Sequence, residues 1–190
     1  MGVEIVEFAV RRGTIEGLLV LAAKQVVDDR GTVREVFRRS AFEAEGVSLP
    51  SFQQVNVTES RRGAVRGMHA EHMTKLTSVV WGEAYGAYVD LRTGSPTYGW
   101  VETVELRPGV EVVVPAGVAN GFQALSDPCQ YLYCFDAEWR PDMPGRALTP
   151  LDPELAIDWP ITIDPDDPSQ ISAKDRTAPR LSDLPAEDPS

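Results

Sequence analysis

Histidine and cysteine are both scarce in this chain, with two of each among 190 residues. Cys129 and Cys134 lie five apart, so the Cys-x-x-Cys spacing of a redox dithiol or a zinc site is missing, and both read as reduced thiols packed near one strand. No run of eighteen apolar residues occurs, which excludes a transmembrane helix. The first thirteen residues place acids early and lack the apolar stretch of a signal peptide, so a cytoplasmic protein is expected. Basic side chains are outnumbered 18 to 29, for a formal net charge of -11, which argues against binding nucleic acid through its phosphates. An acidic protein can still carry a locally basic pocket for a small anionic ligand.

Sustained helical periodicity is also in short supply. Fifteen glycines and fifteen prolines punctuate the chain, and between them lie short runs rich in β-branched residues. Val101 to Leu106 and Val110 to Val114 are bounded by Arg107-Pro108-Gly109 and Pro115-Ala116-Gly117, the pattern of strands between turns. Leu76 to Val80, Ala84 to Leu91 and Gln130 to Phe135 read the same way. Short strands at this spacing predict an all-β sandwich or barrel. One short helix is expected over Ser40 to Glu45, with Ser40 as its N-cap. The composition, 43% hydrophobic and 25% charged, suits a single domain over residues 1–190 with no linker and no internal repeat. From Asp164 onward the chain is rich in Pro, Asp and Ser, and residues 180–190 read as a fraying tail.

The two histidines, His69 and His72, fall in one segment, Arg66-Gly67-Met68-His69-Ala70-Glu71-His72. Solvated loop residues would look the same. A metal site built from His69, Glu71 and His72 would need a further ligand from Pro115-Ala116-Gly117-Val118-Ala119-Asn120, and asparagine is a poor one for zinc or iron, so no metal is assigned. The other reading is acid/base chemistry without a metal. A neutral imidazole suits removal of a proton next to a carbonyl, given a carboxylate to fix its tautomer, a cation for the enolate oxygen and an acid to return the proton. Lys75, Tyr133 and several aspartates are available, and spacing alone does not choose among them.

A series of ordered segments narrows the choice. Asp29-Arg30-Gly31 with Glu35, Gln54-Val55-Asn56, Arg66-Gly67-Met68-His69 and Val89-Asp90-Leu91-Arg92 come first. Gly94-Ser95-Pro96-Thr97-Tyr98-Gly99, Pro115-Ala116-Gly117 leading to Gly121-Phe122, Ile157-Asp158-Trp159-Pro160 and Ser172-Ala173-Lys174-Asp175 follow. Together they resemble the dTDP-4-dehydrorhamnose 3,5-epimerase family. The resemblance implies a cupin-type jelly-roll β-barrel with few short helices, an extended C-terminal tail and a homodimeric state. It implies an isomerase that acts on a nucleotide-linked 4-keto-6-deoxyhexose, with no metal or organic cofactor. It makes His69 the general base, Asp175 the carboxylate that orients it, Lys75 the cation near the ketone oxygen and Tyr133 the general acid. Arg30, Glu35, Gln54, Asn56 and Arg66 match positions that line the sugar-nucleotide site, where the planar fork of arginine suits a diphosphate.

Four positions depart from the family pattern. Asn120 stands where a second active-site histidine is usual, and it can hydrogen-bond a sugar or enolate oxygen but cannot exchange protons near neutral pH. Gly86 replaces an aspartate, the loop between His69 and Lys75 is shortened, and Trp139 replaces a tyrosine, keeping an aromatic face at the site. These changes fit epimerisation at C3, at C5 or at both. They also fit another enolisation or isomerisation on a different ketone, or a sugar-nucleotide-binding pseudoenzyme.

Overall fold

Valine-rich segments between tight turns leave the chain little option but strands, and strands that bury both faces must be covered on both sides. The computed structural model describes residues 3–185. Among them, fourteen strands and two short α-helices occur in this order. The first part holds β1 (Glu4–Val6), β2 (Ala9–Arg12), β3 (Leu19–Ala22), β4 (Lys24–Asp28), β5 (Gly31–Glu35) and α1 (Arg39–Ala44). The middle holds β6 (Gln54–Ser60), β7 (Val65–Glu71), β8 (Lys75–Trp81), β9 (Ala84–Asp90), β10 (Val101–Leu106), β11 (Val110–Val114), β12 (Val118–Ala124) and β13 (Cys129–Phe135). β14 (Gly145–Ala147) and α2 (Ala173–Arg176) complete the set.

Two antiparallel sheets carry the fold, in the orders β10-β9-β12-β7-β14 and β2-β3-β11-β8-β13-β6. Their inner faces meet in one core, where Tyr88, Val104 and Phe122 from the first sheet pack against Val79, Val112 and Tyr131 from the second. Phe122 and Tyr131 stack with ring centroids 4.1 Å apart, a contact that adds about 0.5–1.5 kcal/mol beyond the area it buries. This is the cupin-type jelly roll expected from the sequence. A third sheet, β1-β4-β5, is built from the N-terminal segment.

Each outer face has its own cover. Phe42 of α1, with Phe37, Val47, Leu49 and Phe52, lies over Leu19, Leu21, Leu76, Val113 and Cys134 of the six-stranded sheet. The C-terminal segment covers the other sheet, with Leu148, Leu155, Trp159, Leu181 and Leu184 over Met68, Ala70, Val89 and Ala119. Covering on both sides explains why all seven residues of β12 are buried and why alternation of polar and apolar residues fades there. Both cysteines are buried free thiols, and Cys134 belongs to the outer layer.

Two expectations are corrected. Ser40 is not an N-cap: α1 begins at Arg39 after Arg38, with no side-chain cap. Packing of Phe42 against Phe8 and Phe37 anchors this helix, together with the Arg39 guanidinium, which donates to the Leu49 carbonyl at 3.0 Å. The tail does not fray from residue 180. Leu181–Asp183 forms a 3-10 turn, because Leu181 and Leu184 join the apolar cover and Leu181 N donates to Asp152 at 2.8 Å. The remainder of that expected tail lies outside the described residues.

Candidate active site

The alternation of side chains along five strands assembles the site. Along β7, Met68 and Ala70 face the C-terminal cover, so His69 and Glu71 face the barrel interior, where both line a cavity of about 220 Å3. Lys75 enters from β8, Asn120 from β12, Tyr133 and Phe135 from β13, and Asn56 and Thr58 from β6, with Arg66 and Trp139 completing the wall. Close strand approach sets the register. A Cβ at Gly67 would stand 2.5 Å from the Gly121 Cα and 2.7 Å from the Asn120 carbonyl oxygen, and Gly67 holds a positive φ of +119. Only glycine tolerates both demands, and the close contact brings Asn120 opposite His69 across the β7–β12 ladder.

His69 and Asp175 are 106 residues apart in sequence, yet His69 Nε2 and Asp175 Oδ1 are 2.7 Å apart. The local reason is a capped turn. Ser172 caps α2, its hydroxyl accepting from Asp175 N at 3.1 Å, and this fixes the buried Asp175 over β7. Burial of Asp175 favours its neutral form, but hydrogen bonding to His69, the imidazole charge and the Ser172 hydroxyl outweigh it and hold the carboxyl below its ordinary range. An ionised Asp175 accepts from Nε2 and leaves Nδ1 as the lone-pair nitrogen of the ring.

Lys75 is 3% exposed. Its ammonium donates to Glu71 in a close ion pair, to Asn120 Oδ1 at 2.6 Å and to the His69 carbonyl at 3.3 Å. Burial pulls its pKa below the ordinary lysine value, and the Glu71 carboxylate pulls it back up. Glu71 is itself raised by burial, but Lys75 overrides this and leaves it below the usual carboxylate value. Tyr133 has no hydrogen-bond partner for its hydroxyl among the described residues, and burial pushes its pKa well above the ordinary phenol value. It belongs to an aromatic row, 4.8 Å from Tyr131 and 5.5 Å from Phe135 between ring centroids.

The sequence-derived candidates therefore divide. His69, Lys75, Tyr133, Asn56, Arg66, Asn120 and Trp139 share the cavity, and Asp175 backs it through His69. Gln54 sits at its edge, accepting from Trp139 N at 2.8 Å and donating to Asn56 at 3.1 Å. Arg30 and Glu35 are not in the cavity of their own chain. Arg30 is held at the β4–β5 turn by Asp28 at 2.5 Å, and Glu35 pairs with Arg38, because the N-terminal sheet carries both away from β7. His72 is exposed, and among the described residues no three His, Cys, Asp or Glu side chains gather as metal ligands.

Sequence reasoning weighed Glu71 only as a metal ligand and passed over Thr58 and Phe135. Each lies two residues along a strand from a residue that was singled out: His69, Asn56 and Tyr133 respectively. That two-residue period was the available signal.

A family model described as dTDP-4-dehydrorhamnose 3,5-epimerase matches residues 12–183. A dTDP-4-dehydrorhamnose 3,5-epimerase of Pseudomonas aeruginosa is 36% identical over 177 residues, covering 90% of this chain and 95% of the relative. Among solved structures, a dTDP-6-deoxy-D-glucose-3,5-epimerase of Legionella pneumophila in complex with dTDP-4-keto-L-rhamnose is similar with a TM-score of 0.84 and 31% identity, covering 95% of this chain and 96% of that one. A 3'-monoepimerase of Streptomyces bikiniensis in complex with dTDP-quinovose is similar with a TM-score of 0.80 and 34% identity, covering 90% and 86%.

Proposed function

The chain belongs to the dTDP-4-dehydrorhamnose 3,5-epimerase family, and from that premise we propose that it is a cytosolic isomerase that inverts a carbon next to the ketone of a nucleotide-linked 4-keto-6-deoxyhexose. The observation that carries this reading is the His69–Asp175 pair at 2.7 Å, in a cavity shared with a buried ammonium and a protonated phenol. The ketone acidifies the hydrogens at C3 and C5. Neutral His69 takes one, the sugar becomes an enolate, and the Lys75 charge stabilises its oxygen. Tyr133 donates a proton to the opposite face, which inverts the centre, and its phenolate regains a proton as His69 gives one up. The enolate charge is met by an ammonium, so the reaction needs no metal or organic cofactor.

The test is incubation with dTDP-4-keto-6-deoxyglucose in deuterated water, following C3 and C5 by NMR. Deuterium at either or both carbons, unaffected by EDTA, is the expected result, and the pattern reads which centre is inverted. Nucleotide-sugar binding without exchange would replace the proposal with a pseudoenzyme, and exchange lost on chelation would replace it with a metal enzyme.

The working unit in this reading is a homodimer. β5 and β6 are both sheet-edge strands, and they carry exposed Val33 (69%), Val55 (59%) and Val57 (54%). Unpaired edges with apolar side chains favour pairing with a second chain. In this reading a copy docked with its β5 edge along β6 lends Arg30 and Glu35 to the cavity wall on the β6 side, which the chain's own N-terminal sheet does not reach. Mixing inactive His69→Asn protein with Arg30→Ala protein should then restore activity, because a mixed dimer holds one site with both groups intact. Absence of any recovery after subunit exchange would mean that no site is shared between chains.

A further inference from the structure

The Lys75 ammonium has three N–H bonds, and the fold supplies three acceptors for them: Glu71, Asn120 Oδ1 at 2.6 Å and the His69 carbonyl at 3.3 Å. A lysine so engaged can touch a substrate oxygen only by giving up one of these partners. Lysine is also a donor only, so the atom of the Asn120 amide that faces it must be the oxygen. The planar amide then turns its NH2 away from Lys75. Asn120 lines the cavity, and its Nδ2 has no protein partner among the described residues. The two N–H bonds of a fixed amide are thus available to whatever enters.

We propose that Asn120 is the hydrogen-bond donor to the developing enolate oxygen, and that Lys75 is the residue that holds its amide in the donating orientation. The inference deepens the epimerase reading and rests on it. Lys75 contributes its charge across the amide and Asn120 makes the contact, so replacing a histidine here supplies a neutral donor that cannot be drained of its proton. Glu71 keeps Lys75 charged at this depth. The other charged or titratable groups facing the pair are His69 and Arg66 from β7, Tyr88 from β9, Tyr133 from β13 and Asp175 behind His69. The neighbouring strand β11 offers only Val114 opposite Lys75.

The experiment compares wild type, Asn120→Ala, Asn120→Asp and Lys75→Met in the exchange assay on dTDP-4-keto-6-deoxyglucose, with the Asn120 side-chain amide followed in 15N-labelled protein. Asn120→Asp keeps an acceptor for Lys75 in nearly the same volume and guards against misfolding of the alanine variant. Both Asn120 variants should lower kcat by about 100- to 1,000-fold while KM moves by about threefold or less. Addition of the ketosugar nucleotide should shift the Asn120 NH2 signals, and Lys75→Met should remove that shift. An Asn120→Ala enzyme with nearly wild-type kcat would overturn the proposal, since the freed lysine would then be the contact. Should wild type show no exchange, the epimerase reading fails by itself. The amide signals still decide the orientation: a ligand-induced shift that depends on Lys75 sustains it, and unmoved signals overturn it.

Discussion

Replacing His69 by asparagine is expected to lower enzyme-catalysed proton exchange by about 100- to 10,000-fold, the contribution of a well-placed general base. Asparagine can still hydrogen-bond the Asp175 carboxylate, now 2.7 Å from the imidazole, so the tail should remain docked on β7. What it cannot do is accept a proton. The loss should therefore appear in kcat for exchange at every carbon the wild type labels, while affinity for the nucleotide sugar, set by other residues of the wall, changes little. Calorimetric titration with dTDP checks the second point. Exchange persisting within tenfold of wild type, above the spontaneous background, would remove His69 from the role of base.

Tyr133→Phe should separate two events that usually travel together. The phenol is protonated, because burial pushes its pKa well above the ordinary value, and with no partner among the described residues its hydroxyl can donate into the cavity. Without it, His69 can still remove a hydrogen and return a deuteron to the same face. Wash-in at the substrate carbon should survive in part, whereas formation of the inverted sugar should fall by about 100-fold or more, the usual worth of a positioned acid. The two rates come from one NMR time course, label appearing in the substrate against growth of the product signals. Equal losses in both would assign Tyr133 to binding or to the enolisation step, and full retention of inversion would place the acid elsewhere.

Strands were the most readable part of the sequence. Val101–Leu106 and Val110–Val114 stand where their β-branched runs between Pro and Gly turns predict them, because local sterics suffice there. The N-terminal hairpins and the start of α1 were not readable, since each is settled by contacts with distant residues such as Phe8 on Phe42 at 4.9 Å. The site divides along the same line. His69 drew attention through rarity, but its link to Asp175 crosses 106 residues and no local pattern could supply it. The family resemblance named the pair, and the geometry joins it. Arg30 and Glu35 show the reverse case, named by resemblance yet held elsewhere by Asp28 and Arg38 within their own chain.

Gly86 bears on how such a protein changes over generations. A Cβ there would stand 2.8 Å from both the Tyr88 hydroxyl and Leu106 Cδ1, and Tyr88 in turn faces Asn120 across the β9–β12 ladder. The space that an acidic side chain at 86 would need is filled by a phenol from two residues along the same strand. An aspartate therefore cannot be introduced by changing codon 86 alone, because the tyrosine must first give way to something smaller. The packing acts as a lock: while the Tyr88 hydroxyl and Leu106 fill this space, a carboxylate at 86 is barred.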